Sequence, residues 1–200
     1  MQSFSVLDTK NIDSNMNINT GSSCKYSRDK IECFRDLSIE ISHSLCTALS
    51  QHFKDEKVEL RCEKPKCNGT HAVKSTRIKK LPPILMIHLK RFHFDVRTGK
   101  TDKLNSLIDA PESLDLNTFM DVSHDQNTRY SLHGILRHHG DKAQGGHYTA
   151  DVRLSNMGDD EKQWYWFDDL RVREGKFGDT ERQRQETGYI LVYVQDQEST

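Results

Sequence analysis

The last third of the chain is a series of short segments in which aromatic or β-branched residues alternate with other residues. These segments are residues 130–137, 147–154, 163–167 and 188–194, and polar loops separate them. An alternation with a period of two buries one face of a β-strand and leaves the other accessible, and several such strands at short intervals are typical of an antiparallel sheet. The pattern therefore predicts an antiparallel sheet as the dominant element of the fold.

Two further strands and a helix are predicted upstream. Pro82-Pro83 precedes the run at residues 84–92, which is too short and too alternating for a helix and predicts a strand. Residues 37–41 alternate in the same way. The apolar residues that follow have helical spacing behind a run of capping candidates at residues 42–44, so they predict a short amphipathic helix. These residues are Leu45, Ala48, Leu49 and Phe53.

The remaining stretches are mostly polar. Residues 1–23 have few apolar positions and predict a disordered leader. Residues 56–80 predict an exposed, hairpin-like excursion, and residues 105–128 predict a loop with one short ordered segment near residues 114–120.

The balance of charges excludes two classes of partner. The chain has 29 basic and 30 acidic side chains, so it has no strong field for nucleic acid or an anionic membrane. No apolar stretch has the length of a membrane span. The five cysteines are not spaced as a secreted disulfide framework, which favours a reducing compartment, and we expect a cytoplasmic or nuclear protein.

One histidine and one aspartate are candidates for a shared site. If residues 147–154 and 161–168 form a hairpin that pairs Leu154 with Glu161, His147 lies opposite Asp168, with side-chain roots about 4.5 to 5.5 Å apart. A carboxylate that orients a histidine is the arrangement that activates a nucleophile. Gly145 and Gly146 would let an extended substrate pass close to the ring. On residue types alone, an ordinary strand histidine that faces an aspartate fits as well.

Several motifs in register resemble one enzyme family. They are Leu81 to Phe92 (LPPILMIHLKRF), Gly145 to Ala150 (GGHYTA), Trp164 to Val172 (WYWFDDLRV) and Gly188 to Tyr193 (GYILVY), with Glu32 to Ile39 (ECFRDLSI) upstream. Together they resemble the C-terminal half of a ubiquitin-specific protease catalytic domain. The resemblance implies an α+β, papain-like fold dominated by antiparallel sheet. It implies fingers at about 24–80, a palm at about 81–196, a missing thumb and a short tail at 197–200.

The resemblance also implies roles for individual residues. His147 would be the catalytic histidine and Asp168 its orienting carboxylate, with Asp169 as the near alternative. In the hairpin register above, Asp169 falls one step further and on the opposite face, so we expect it to support the pair. Gly145, Gly146 and Tyr148 would line a channel for the ubiquitin tail. The implied activity is thiol-dependent hydrolysis of the bond after the C-terminal Gly-Gly of ubiquitin, and the implied partners are ubiquitin and ubiquitinated proteins.

The sequence departs from that family at two points. It contains no Gly-Asn-Thr-Cys-Tyr-type box to supply the nucleophile, so we expect either a fragment that is inactive alone or a non-catalytic relative that binds ubiquitin or another partner. The usual pairs of zinc ligands are also broken. We expect no cofactor. A structural zinc would have to use Cys62, Cys67, Cys24 and His71.

Overall fold

The computed structural model describes residues 4–10, 26–121, 126–143, 145–155, 162–175 and 187–197. The strands are, in chain order, β1 (Phe4–Lys10), β2 (Arg28–Phe34), β3 (Leu37–Glu40), β4 (Glu56–Glu59), β5 (His71–Ile78), β6 (Ile84–Lys90), β7 (Phe92–Asp95), β8 (Lys100–Lys103), β9 (Ser113–Asp115), β10 (Arg129–Lys142), β11 (Gly145–Ser155), β12 (Lys162–Asp168), β13 (Arg171–Gly175) and β14 (Gly188–Gln195). One α-helix, α1 (Leu45–His52), lies between β3 and β4, and a 3₁₀ turn covers Asn117–Phe119.

The chain divides into two units. The smaller unit comprises Met1–Arg35, Phe53–Leu81 and Leu116–Gln126. It holds a four-stranded antiparallel sheet in the order β2-β1-β5-β4. The β4–β5 hairpin matches the excursion that the polar stretch predicts.

The predicted disordered leader is wrong for Phe4–Lys10. These residues form β1, which pairs along its length with β2 and through Val6 to Thr9 with β5. A strand between two partners satisfies its backbone groups on both sides, and composition alone does not reveal such partners. The remainder of the predicted leader lies outside the described residues.

The larger unit comprises Asp36–His52, Pro82–Asp115 and Asn127–Thr200. Its main sheet has the order β13-β12-β11-β10-β14-β6-β3, with β9 pairing alongside β10. Only the β3–β6 pair among the described ladders of this sheet is parallel. The division into units therefore differs from the predicted contiguous fingers and palm, because residues 36–52 belong to the larger unit and residues 116–126 to the smaller one.

Alternating burial places the core of the larger unit under its sheet and helix. On β6, Leu85, Ile87 and Leu89 are buried while their neighbours are more accessible, as the apolar alternation predicts. On α1, the inward face consists of Leu45, Ala48 and Leu49. The side chain of Ser44 accepts a hydrogen bond of 3.1 Å from the backbone N–H of Thr47, which caps the first turn of α1.

A buried arginine connects the end of β6 to the start of β14. The guanidinium of Arg91, which is 0% exposed, donates to the carbonyl oxygens of Gly188, Leu104 and Ser106. Burial lowers its pKa to about 10. Because these carbonyls belong to separate segments, Arg91 fixes the loop at residues 104–106 against the start of β14.

Among the described residues, no helix is long and apolar enough to cross a membrane.

Candidate active site

His147 and Asp168 are in direct contact on neighbouring strands. His147 lies near the start of β11 and Asp168 is the last residue of β12. The Nε2–H of His147 donates a hydrogen bond to Oδ1 of Asp168. A carboxylate can only accept, so this contact assigns the proton on Nε2 and leaves Nδ1 for another partner. The two side chains are 48% and 23% exposed, so the pair is open to a substrate.

The strand register that creates this contact differs from the predicted one. Leu154 pairs with Gln163 rather than with Glu161, and the ladder ends at Ala150 and Phe167. The shift is two residues, so every side chain keeps its face of the sheet. His147 and Asp168 therefore meet as diagonal neighbours, which long side chains can bridge.

Asp169 is closer to the pair than the prediction allows. It lies in the two-residue turn between β12 and β13, where Asp168 pairs with Arg171. Its φ of 50° turns the chain out of the strand, so the strand alternation that assigned it to the opposite face does not apply. Ligand atoms of His147, Asp168 and Asp169 all lie within 4.8 Å of one another.

The direction of the pKa shift distinguishes His147, on β11, from His138 and His139 on β10. The hydrogen bond to Asp168 raises the pKa of His147, and the charges of Asp168 and Asp169 add to this effect. Burial lowers the pKa of His138 and of His139, and nearby positive charges reinforce both shifts. His147 is therefore the member of this group that is best suited to take up a proton.

The two glycines before His147 have different structural roles. Gly146 has a φ of 150°, and a Cβ there would overlap the ring of His138 and the backbone oxygen of His139. No side chain larger than hydrogen fits at this position. A Cβ on Gly145 would meet nothing within 4 Å. The glycine requirement at Gly146 thus comes from close packing within the protein, whereas the sequence pattern had suggested only the passage of a substrate.

Tyr148 belongs to an aromatic cluster that sequence reasoning missed. Its ring lies edge-on to His138 at 5.0 Å and 6.3 Å from Tyr189. Phe92 contacts His138 at 5.3 Å and Tyr189 at 6.0 Å. The aromatic residues just after β6 and near the start of β14 were a possible signal, since β14 lies between β6 and β10 in the sheet. Tyr148 is 48% exposed, so the cluster presents this ring to solvent, on the opposite face of β11 from His147.

The comparison with sequence families identifies the chain. The model of the ubiquitin carboxyl-terminal hydrolase family matches residues 9–193. The chain belongs to the ubiquitin carboxyl-terminal hydrolase family. The predicted resemblance to ubiquitin-specific proteases is therefore confirmed.

Relatives in this family come from distant organisms. Ubiquitin carboxyl-terminal hydrolase 23 of Arabidopsis thaliana is 31% identical over 183 residues, which cover 88% of this chain and 20% of the relative. Ubiquitin carboxyl-terminal hydrolase 9X of Mus musculus is 32% identical over 194 residues, which cover 80% of this chain and 8% of the relative. Ubiquitin hydrolase B of Dictyostelium discoideum is 34% identical over 175 residues, with shares of 87% and 36%. The chain spans only a minor part of each relative.

Solved structures confirm the papain-like α+β fold class. A chain of the SAGA Ubp8/Sgf11/Sus1/Sgf73 DUB module bound to ubiquitin aldehyde has a TM-score of 0.78 and 26% identity, covering 98% of this chain and 41% of its own length. A mutant of the yeast SAGA DUB module gives a TM-score of 0.75 and 27% identity, with shares of 98% and 41%.

The weak candidates for zinc ligands do not assemble in the described structure. Cys62 is buried, Cys67 accepts a contact from the N–H of Gly69 at 3.5 Å, and Nδ1 of His71 lies 3.0 Å from the hydroxyl of Thr70. These three residues do not form a group of potential ligands; within the described part of the chain, the group that does is His147, Asp168 and Asp169. Cys24 lies outside the described residues.

Proposed function

We propose that this chain supplies the histidine and the orienting carboxylate of a thiol-dependent deubiquitinating site, which hydrolyses the peptide or isopeptide bond after the C-terminal Gly-Gly of ubiquitin. The observation that carries the proposal is the hydrogen bond between His147 Nε2 and Asp168 Oδ1, where β11 begins and β12 ends, with both side chains accessible to solvent. Membership of the ubiquitin carboxyl-terminal hydrolase family supports the reaction class.

The chemistry follows from which ring nitrogen is free. With Nε2 held by Asp168, Nδ1 of His147 is the atom that takes the proton from an attacking thiol. The imidazolium that forms is stabilised by the carboxylate, and it then gives its proton to the leaving amine, which leaves the ubiquitin acyl group on the thiol. Nδ1 then takes a proton from a water that attacks this thioester, and the proton returns to the thiolate as ubiquitin is released. Asp168 keeps the ring in one orientation and one tautomer through this cycle. This sequence of proton transfers requires no metal, so we propose that a chelator leaves the activity unchanged.

The nucleophile has to come from outside the described site. None of the five cysteines in the sequence lies in a box of the Gly-Asn-Thr-Cys-Tyr type. No described cysteine belongs to the cluster of His147, Asp168 and Asp169. We therefore propose that this chain is inactive alone and becomes competent when a cysteine-bearing segment completes the site.

Ubiquitin is the proposed substrate partner. Gly145, Gly146 and Tyr148 adjoin His147 along β11, and the family resemblance supports assigning them to the channel for the ubiquitin tail. The fingers, at about residues 60–78 with β5 at their end, would hold the globular part of ubiquitin. The solved DUB module that resembles this chain is described as bound to ubiquitin aldehyde, which supports this assignment. We place the reaction in the cytoplasm or nucleus.

The test is a complementation assay. Purified chain is incubated with ubiquitin that carries a C-terminal fluorogenic amide, alone and with a separately expressed, cysteine-bearing segment of a family member. We expect fluorophore release only in the mixture, abolished by His147→Ala. The matched control is His93→Ala, at an exposed histidine of β7, which should leave the rate unchanged.

A second candidate function is ubiquitin or partner binding without catalysis. The missing cysteine box favours this alternative. No release of fluorophore from the mixture, with ubiquitin binding retained in a calorimetric titration, would contradict the hydrolase proposal and support the binder.

A further inference from the structure

The ammonium group of a lysine from another hairpin holds the end of β10, just before the turn that leads to His147. Nζ of Lys103, at the end of β8, donates hydrogen bonds of 2.7 Å to the backbone oxygen of His138 and of 2.7 Å to that of Gly140. Both acceptors lie at the end of β10, just before the turn into Gly145 and His147. One side chain thus binds two backbone carbonyls of β10, two residues apart, close to the turn that leads to the candidate site.

The backbone at this point needs an external donor. The β10–β11 ladder changes register between His139 and Lys142, which takes the Gly140 carbonyl out of the regular pairing, whereas His138 still pairs with Tyr148 just before the shift. A carbonyl that leaves its ladder must find another donor or water. The ammonium of Lys103 supplies that donor, and its charge strengthens both hydrogen bonds.

The turn leaves little freedom for the backbone to adjust. Gly140 has a φ of 117° and Gly146 a φ of 150°. A Cβ on Gly140 would lie 3.2 Å from Cα of Gly146, so the two arms of the turn are packed almost backbone to backbone. A Cβ on Gly146 would overlap the ring of His138, whose own carbonyl Lys103 binds. A displacement of the His138 segment would therefore be passed to Gly146 and then to His147.

Lys103 itself lies in a partly buried position. Burial and the charge of Arg91 lower its pKa, while Asp141 acts in the opposite direction. A cation at such a position is stabilised by the two carbonyl dipoles that it binds. Its own strand pairs only with β7 in the described structure, so the link is between the β7–β8 hairpin and the main sheet.

We propose that Lys103 is the positioning residue of the candidate active site, which holds the β10–β11 turn so that His147 meets Asp168. The catalytic consequence of this role rests on the proposed function. The structural consequence, a fixed β10–β11 turn, rests on the two hydrogen bonds alone. Through Lys103, a ligand that moves the β7–β8 hairpin would also move His147.

The test compares Lys103→Met with Lys100→Met in the full chain. Methionine keeps the length of the lysine stem and removes the ammonium. Lys100, at the other end of the same strand, is exposed and serves as the matched control. Two measurements that do not require activity are the NMR titration of His147 and hydrogen exchange of the amides from Gly145 to Thr149.

We expect Lys103→Met to lower the pKa of His147 towards its ordinary value and to speed exchange in the turn about tenfold or more, with the β6–β14 amides unchanged. Lys100→Met should do neither. An unchanged His147 titration and unchanged turn exchange in Lys103→Met would overturn the proposal. If Lys103→Met fails to fold, Lys103→Arg, which keeps the charge but changes the donor geometry, should give the same local changes to a smaller extent.

The complementation assay separates this proposal from the proposed function. A positioning role predicts that kcat falls between tenfold and about 100-fold in Lys103→Met while KM for the ubiquitin substrate stays within about twofold. A fall in kcat without any change in the titration or exchange would overturn the positioning role. Changed titration and exchange in a chain that never gains activity would support Lys103 as the residue that holds the turn and count against the proposed function.

Discussion

Two cross-strand ion pairs on one face of the main sheet have opposite surroundings. Arg137 and Asp151 join β10 to β11 with their side chains 1% and 5% exposed. His147 and Asp168 join β11 to β12 with theirs 48% and 23% exposed. The first pair combines a permanent charge with a buried carboxylate, whereas the second contains a group that titrates near neutral pH.

The difference in burial gives the two ion pairs different roles. The buried pair stabilises the fold, whereas the exposed pair is available for proton transfer. A buried charge that loses its partner has no water to replace it, so the first pair acts as a constraint on the fold. An exposed pair has solvent as an alternative, so it contributes little stability and its proton stays available for exchange. Two nitrogens of Arg137, Nε and Nη1, have no hydrogen-bond partner in the described structure. The carboxylate of Asp151 is therefore the main group that compensates the buried charge of Arg137.

The largest expected effect comes from breaking the buried pair. Asp151→Asn leaves the charge of Arg137 buried without a counter-charge and should reduce the free energy of unfolding by about 3–5 kcal/mol. Urea denaturation, followed by tryptophan fluorescence, measures this change. Equal losses for Asp151→Asn and for Asp168→Asn in the exposed pair would contradict the contrast between the two.

An intermediate effect is expected at the glycines beside the exposed pair. Gly146→Ala has to adopt a positive φ and displace the ring of His138, which should cost about 1–3 kcal/mol of stability. Gly145→Ala, where a Cβ meets open space, should change stability by no more than about 0.5 kcal/mol. Thermal unfolding of the two variants side by side checks the difference, and similar values would show that the turn yields to a side chain.

The smallest effect on stability is expected from Asp168→Asn, which should instead change the titration of His147. The partner carboxylate raises the pKa of His147, so NMR titration should show a lower pKa in the variant. The native state binds a proton at His147 more tightly than the unfolded state. The contribution of the pair is therefore complete below the unfolded pKa of about 6.5 and is lost as pH rises through the raised, folded value.

The two histidines at the end of β10, of which His138 is buried and His139 partly buried, have the opposite pH dependence. His138 and His139 have lowered pKa values, so their neutral forms favour the folded state above a pH of about 6.5, and this contribution is lost as pH falls towards the folded values. Asp168→Asn removes the opposing contribution of His147. Between about pH 5.5 and 7, stability should thus rise with pH more steeply in the variant than in the parent chain. Parallel curves for the two proteins would contradict this assignment.

Several elements followed from local pattern, while others depended on distant partners. The apolar alternation of β6 and the helical spacing from Leu45 to Leu49 appear in the structure where the sequence predicts them. The β7–β8 hairpin was not predicted, because its residues are mostly exposed and show no strong alternation of burial. The sequence assigned Asp169 a supporting role but placed it on the opposite face, although an aspartate in a two-residue turn tolerates a positive φ and was a usable signal.

The sequence by itself determined the family, the sheet-dominated fold class and the pairing of His147 with Asp168 as candidate partners. Only the tertiary structure decided the register that joins them, the place of Asp169, the need for glycine at position 146 and the contacts of Lys103. The physical reason is that alternation along a strand defines which face a side chain occupies, and a shift of two residues leaves that pattern unchanged. Which residues then touch depends on turns and neighbouring strands, whose hydrogen bonds are made by backbone groups that every residue shares.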